Sequence, residues 1–191
     1  MAFALSPLLP PADLLPLLPP GLPDDLARAA AHAWVHAPFL KGLIRGRRAT
    51  MARLAEAGPE AAFADALALA ADAAQPVMPR LRAARRDVAL VAALADLAGR
   101  WPLEQVTRAL SDFTDLAIDQ AIAAALAERG APNRGLVALA LGKLGSHELN
   151  YSSDADLIFL HDPAIIPCRS HEEPGEAAVR EIEAIRQRFL R

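Results

Sequence analysis

Apolar residues recur at three- and four-residue intervals at Leu103, Val106, Leu110, Phe113 and Ala117, with Ile118, Ile122 and Leu126 widening the stripe. That spacing places them on one side of a helix, so it predicts a long amphipathic helix started by Pro102 and closed by Gly130 at a C-terminal cap. Helical signals also dominate upstream. Asp24 and Asp25 cap a helix that runs to Pro38, and Pro59 opens another over residues 60–74, closed by Gln75-Pro76. Pro79 sits at a first helical position for a segment reaching Gly99. A lead-in rich in proline, from Pro7 to Pro23, precedes them all.

The pattern changes after Ala131-Pro132-Asn133. Residues 136–141 form a continuous apolar run, residues 142–146 supply turn chemistry, and a second apolar run covers 155–160. Short apolar runs bounded by turn residues read as buried strands. Residues 161–175 read as a loop, and 176–191 as a helix with Val179, Ile182, Ile185 and Phe189 on one side. The fold class is therefore α+β: an N-terminal α-helical region, residues 1–133, followed by the first strands of an incomplete domain, residues 134–191. Two strands are too few for an independent sheet, so uncovered apolar faces are expected at Val137, Leu139, Leu157 and Phe159.

Composition narrows the classes. Aromatic residues make up only 5% of the 191, which argues against an all-β sandwich. A net charge of −3 gives no global attraction to nucleic acid or anionic membrane, so neither is expected as a partner. Two basic clusters stand out: Lys41, Arg45, Arg47, Arg48 and Arg53, then Arg80, Arg82, Arg85 and Arg86. Each reads as a solvated helix face, with an anion- or partner-binding face as the alternative. Cys168 is the only cysteine, so no disulfide forms within one chain and a reducing cytoplasm is the expected location. The first 23 residues contain no basic residue, unlike a secretory signal.

Chemistry concentrates between residues 141 and 157. Alternation along a strand would project Asp154 and Asp156 from one face, with Cα atoms about 7 Å apart. Paired carboxylates suit hard cations such as Mg2+, which neutralise phosphate oxygens in phosphoryl chemistry. Upstream, Gly145 allows close backbone approach to a phosphate and Ser146 adds a hydroxyl donor. Lys143 either faces nucleotide phosphates or is solvated, and Ser153 is a further candidate for the nucleotide. Other patterns fall short. His32 and His36 lie one helical turn apart without a third metal ligand, and Gly142-Lys143 lacks the order of a phosphate-binding P-loop.

A strand, Gly145-Ser146, seven residues, then Asp154-Ala155-Asp156 entering an apolar strand resembles the signature of the DNA polymerase β-like nucleotidyltransferase superfamily. Gly142-Lys143-Leu144-Gly145, followed by residues 148–159 (ELNYSSDADLIF), is more specifically similar to the bifunctional enzymes that adenylylate and deadenylylate glutamine synthetase. Residues 80–130 resemble the helical segment before the first, deadenylylating copy of their two catalytic domains. The resemblance implies Mg2+ held by Asp154 and Asp156, and phosphate oxygens seated by Gly145 and Ser146. ATP, ADP and phosphate would be substrates or products, with glutamine synthetase and a PII-type signalling protein as partners. Two departures stand out. Ser146 replaces a second glycine of the family motif, and the superfamily's third carboxylate, on a later strand, is not evident. Asp162 lies too close to Asp156 to replace it. The chain thus reads as an N-terminal fragment or truncated product. Two rivals remain: a nucleotidyltransferase with another acceptor, and a non-catalytic helical interaction module.

Overall fold

The structure, a computed structural model, describes residues 9–166. A short 3-10 turn (Leu15–Leu17) precedes five helices: α1 (Asp24–His36), α2 (Pro38–Gly46), α3 (Arg48–Ala71), α4 (Val77–Leu97) and α5 (Leu103–Glu128). Strand β1 (Leu136–Ala140), the single helical turn α6 (Gly142–Gly145) and strand β2 (Leu157–His161) follow. The architecture is mainly helical with one small antiparallel sheet, an α+β arrangement as the apolar pattern predicts. Cys168 and the helix expected over 176–191 lie outside the described residues, as does most of the expected loop before it.

The helix boundaries have local causes. Pro23 occupies the N-cap of α1, so Asp24 and Asp25 do not cap through their side chains. They sit in the first turn, where carboxylates meet the positive end of the helix dipole. Gly58, at φ 82°, breaks α3 and Pro59 restarts it, as the sequence suggests. That helix stops at Ala71 rather than Ala74, because the Asp72 carboxylate accepts the Ala74 N–H at 3.0 Å and turns the chain. Pro76 is the N-cap of α4, which places Pro79 third in the helix rather than first. It is tolerated there because first-turn N–H groups have no intrahelical acceptor. Gly130, at φ 65°, ends α5: its N–H reaches the Ala127 carbonyl (3.0 Å) and that of Ala131 reaches Leu126 (2.9 Å). This paired closure is the cap predicted from the sequence.

Helix α4 is the centre of the bundle. Leu90, Val91, Ala92, Ala93, Leu94 and Ala95 are all buried, so this stretch has no solvent face. Small alanines on α1 and α4 pack around Leu26, Trp34, Ile44, Met51 and Leu54. Between α3 and α4, buried Asp87 accepts from both buried Thr50 and half-buried Arg47. The α5 stripe is buried from Val106 to Leu126, with Leu110 touching all three apolar clusters. Leu103 departs from the expected stripe and is 70% exposed. A helical side chain covers the turn before its own Cα, and the first residue has no such turn to cover.

The sheet packs one face on the C-terminal half of α5. Residues opposite each other in an antiparallel pair share a face. Ala138 opposes Phe159 and Ala140 opposes Leu157, and these four pack toward Ile118, Ile122 and Leu126. Val137 opposes Leu160 and Leu139 opposes Ile158 on the other, exposed face. The strands are therefore half-buried rather than buried. Val137 and Leu139 are uncovered as expected, whereas Leu157 and Phe159 are not: pairing register puts Ile158 and Leu160 in their place.

Candidate active site

The motif occupies the connection from the end of β1 to the start of β2. Where the sequence suggests a simple Gly-Ser turn, the chain makes one helical turn, with Gly145 N–H on Leu141 O and Ser146 N–H on Gly142 O, both 3.2 Å. His147 closes it at φ 56°, a left-handed conformation uncommon for a residue with a side chain. Leu144 and Leu149, 1% and 4% exposed, anchor both sides of this turn in the core shared with α5. Gly145 is constrained by packing. A Cβ there would lie 2.6 Å from the carbonyl oxygen of Ala140, so the close approach at this glycine is to β1 itself.

The candidate phosphate-binding groups are already engaged. The Ser146 hydroxyl lies 3.1 Å from a Glu148 carboxylate oxygen and 3.3 Å from the carbonyls of Gly142 and Lys143. An anion at Ser146 would have to displace Glu148, which carries the same sign of charge. Ser153 donates to Asn150 Oδ1 at 2.8 Å and accepts the Asn150 N–H at 3.2 Å, so its hydroxyl shapes the Asn150–Ser153 turn. Lys143 is exposed on α6, and its carbonyl accepts the Glu148 N–H at 2.7 Å.

Asp154 and Asp156 are both exposed and lie in the segment leading into β2, before the strand proper. The ladder nonetheless extends one step beyond it, since Leu141 N–H donates to the Asp156 carbonyl at 2.9 Å. Asp156 is thereby placed at the mouth of α6: its Oδ2 lies 3.5 Å from where a side chain on Gly142 would begin. The structure thus brings Asp156 to the Gly142–Gly145 turn. Two exposed carboxylates fit Mg2+, a hard ion that commonly takes one or two carboxylates and completes its shell with water and phosphate. Asp162 is at the opposite end of β2, about 20 Å along the strand from Asp156. Its Oδ1 accepts the Ala164 N–H at 2.9 Å. Among the described residues no group of three His, Cys, Asp or Glu side chains could hold a metal.

Hydrogen bonds to the helices hold the connecting segment at Leu149 and Tyr151. His147 Nδ1 lies 3.7 Å from Asp112. Leu149 N–H donates to Ser111 Oγ at 3.3 Å, and Tyr151 OH donates to Asp96 at 3.0 Å. Ser111 is fully buried and passes its own hydrogen to Thr107 O at 2.9 Å. Burial pushes the Asp115 carboxyl above its usual value; His147 opposes that shift while Asp112 and Asp119 add to it. Burial, then the charge of Asp96, likewise raises the Tyr151 phenol above its usual value. These positioning contacts are not apparent from motif spacing. A serine inside the α5 stripe was their one visible sign.

The sequence matches the glutamate-ammonia ligase adenylyltransferase family over residues 27–186. Three relatives are described as bifunctional glutamine synthetase adenylyltransferase/adenylyl-removing enzymes. Those of Bradyrhizobium sp. strains BTAi1 and ORS 278 are 34% and 33% identical, each over 91% of this chain. That of Caulobacter vibrioides is 36% identical over 84%. The chain belongs to this family of adenylyltransferases. It matches 19%, 20% and 18% of the length of those three relatives, about a fifth. No solved structure matches it significantly. Among the described residues no helix is long and apolar enough to cross a membrane.

Proposed function

We propose that this chain supplies the start of the deadenylylating centre of a bifunctional enzyme acting on glutamine synthetase in the cytoplasm. The observation that carries this reading is the meeting of the Asp156 carboxylate with the Gly142–Gly145 turn at the end of β1, in a chain of this family. Asp154 and Asp156 would hold Mg2+, which supplies charge neutralisation for phosphate oxygens when bound. Lys143 would orient the phosphates, the Ser146 hydroxyl would join it only on leaving Glu148, Gly145 would keep the turn packed against β1, and Ser153 would hold the shape of the turn before Asp154. In the reaction, an oxygen of inorganic phosphate attacks the adenylyl phosphorus and a new P–O–P bond forms. The bond from phosphorus to the tyrosine oxygen breaks, that oxygen takes the proton from the attacking phosphate, and ADP is released. ATP belongs to the reverse modification, carried out by a second catalytic unit. A PII-type protein is the regulatory partner of this reading. We place the boundary between helical region and catalytic unit at residues 133/134.

The test is phosphate-dependent release of ADP from adenylylated glutamine synthetase by the full-length enzyme. Asp154→Asn and Asp156→Asn should each lower the rate by at least about a hundredfold, with circular dichroism unchanged, because both side chains are exposed. Near-normal phosphorolysis by the double variant at ordinary Mg2+ would refute the assignment. A second reading rests on the absence of a third carboxylate near Asp154 and Asp156 among the described residues. In it, the chain alone binds Mg2+ and nucleotide without turnover, which steady ADP release by residues 1–191 would disprove.

A further inference from the structure

A cleft of about 970 Å3 opens between α1, α2, α4, α5 and the Asn150–Ser153 turn. Its walls are apolar, with Met78, Leu97, Leu110 and Phe113 inside and Phe39, 65% exposed, at the rim. Arg82, Arg85 and Arg86 lie along one side, on a single face of α4. In the first basic cluster the cations are already engaged: Lys41 and Arg45 lie over Trp34 and beside Asp13, Arg47 binds Asp87, Arg48 donates to the carbonyls of Pro16 and Leu17, and Arg53 pairs with Asp65. Arg80 is buried and binds Gln120. Arg82, Arg85 and Arg86 remain exposed and have no ion pair among the described residues. The one carboxylate in the lining, Asp96, accepts from Tyr151.

Position and charge together indicate an occupant. The lining ends at Ser153, directly adjacent in the chain to Asp154. A polypeptide presenting a modified side chain to Asp154 and Asp156 would extend its flanking residues over the turn and into the cleft. At the upper end of small-molecule pocket sizes, the cleft has room for several residues of extended chain. Apolar walls beside three arginines complement a segment in which apolar and acidic residues are mixed. We propose that this cleft docks the acidic, partly apolar segment flanking the modified tyrosine of the protein substrate. The proposal rests on the deadenylylation reading and specifies how that site would recognise a protein rather than a nucleotide alone.

The experiment compares two substrates in the full-length enzyme: intact adenylylated glutamine synthetase and the AMP ester of N-acetyl-tyrosinamide, which has no flanking chain. With Arg82→Gln/Arg85→Gln/Arg86→Gln, KM for the protein substrate should rise about tenfold with kcat little changed, while kcat/KM for the ester serves as the reference. The corresponding triple lysine variant should recover most of the loss, since charge is restored. An unmoved KM for the protein would overturn the proposal. So would an equal rise for the ester, which would make the cleft part of a nucleotide site. A second arm requires no turnover and therefore stands even if Asp156→Asn were to refute the parent reading. A fluorescent peptide of alternating glutamate and leucine around a central tyrosine should bind wild-type enzyme at least about tenfold tighter than its glutamine counterpart. Loss of that difference in the triple glutamine variant supports the proposal. Equal binding of both peptides, or competition by AMP as effective as by peptide, overturns it.

Discussion

Gly145→Ala sets two well-characterised effects against each other. Gly145 lies in a helical turn, where replacing glycine by alanine reduces the entropy of the unfolded chain and ordinarily gains about 0.4–1 kcal/mol. The new methyl carbon, however, would stand 2.6 Å from the Ala140 carbonyl oxygen, whereas ordinary contact begins at 3.4 Å. Either β1 or α6 must retreat by about 0.8 Å, and the partner is backbone that cannot rotate away. Overpacking of this kind costs about 1–3 kcal/mol; with about 2 set against a gain of about 0.7, the clash wins and the net loss is about 1 kcal/mol. Gly42 in α2 supplies the control, since a Cβ there meets nothing within 4 Å and only the entropic gain remains. Thermal unfolding followed by circular dichroism should show Gly145→Ala melting about 2–4 °C below wild type and Gly42→Ala slightly above it. A Gly145→Ala melting point equal to that of Gly42→Ala would refute the packing explanation and return this glycine to a purely ligand-facing role.

Three other perturbations test the scaffold. Asp87→Ala leaves Arg47 and Thr50 without their shared acceptor, and should destabilise the bundle by about 1–3 kcal/mol in urea unfolding; a loss below about 0.5 kcal/mol would show the cluster to be dispensable. Ser111→Ala orphans the Leu149 N–H, and should cost about 1–3 kcal/mol and speed hydrogen exchange at the Leu149 amide; unchanged exchange would contradict the bond. Tyr151 is the only tyrosine, so tyrosinate absorbance reports it alone. Its phenol is held above the usual value near 10, so the associated stability is complete below that pH and is lost as pH rises through the folded value. Asp96→Asn should move the titration down toward the ordinary range, and an unmoved midpoint would exclude Asp96 as a cause.

What could be read from the sequence depended on how local the cause was. Gly130 and Pro59 act through their own backbone, and the structure finds them where pattern reading places them. The α5 stripe is likewise periodic, failing only at Leu103, where the burying partner runs out. The exposed face of the sheet required the strand register, which no local pattern encodes, so Ile158 and Leu160 emerged only from the pairing with Leu139 and Val137. At the site, motif spacing located Gly145, Ser146, Asp154 and Asp156. It could not reveal that Ser146 faces Glu148 or that Ser153 is committed to Asn150. The Ser111 and Asp96 contacts span 38 and 55 residues of chain, and such pairings are fixed only by how the helices assemble.

The attachment of Leu149 and Tyr151 to the helices makes the segment from Ser146 to Asp154 behave like a ruler. Adding or deleting a single residue there would take Leu149 or Tyr151 off its helix partner, because each bond is made at one fixed position in the chain. It would also shift Asp156 away from its bond with Leu141 and from the mouth of α6. By contrast, the turns at residues 72–76 and 131–134 join elements without positioning either aspartate. Length changes in a divergent copy of this chain should therefore accumulate in those turns, while the interval from Gly145 to Asp154 holds its count even where its letters change.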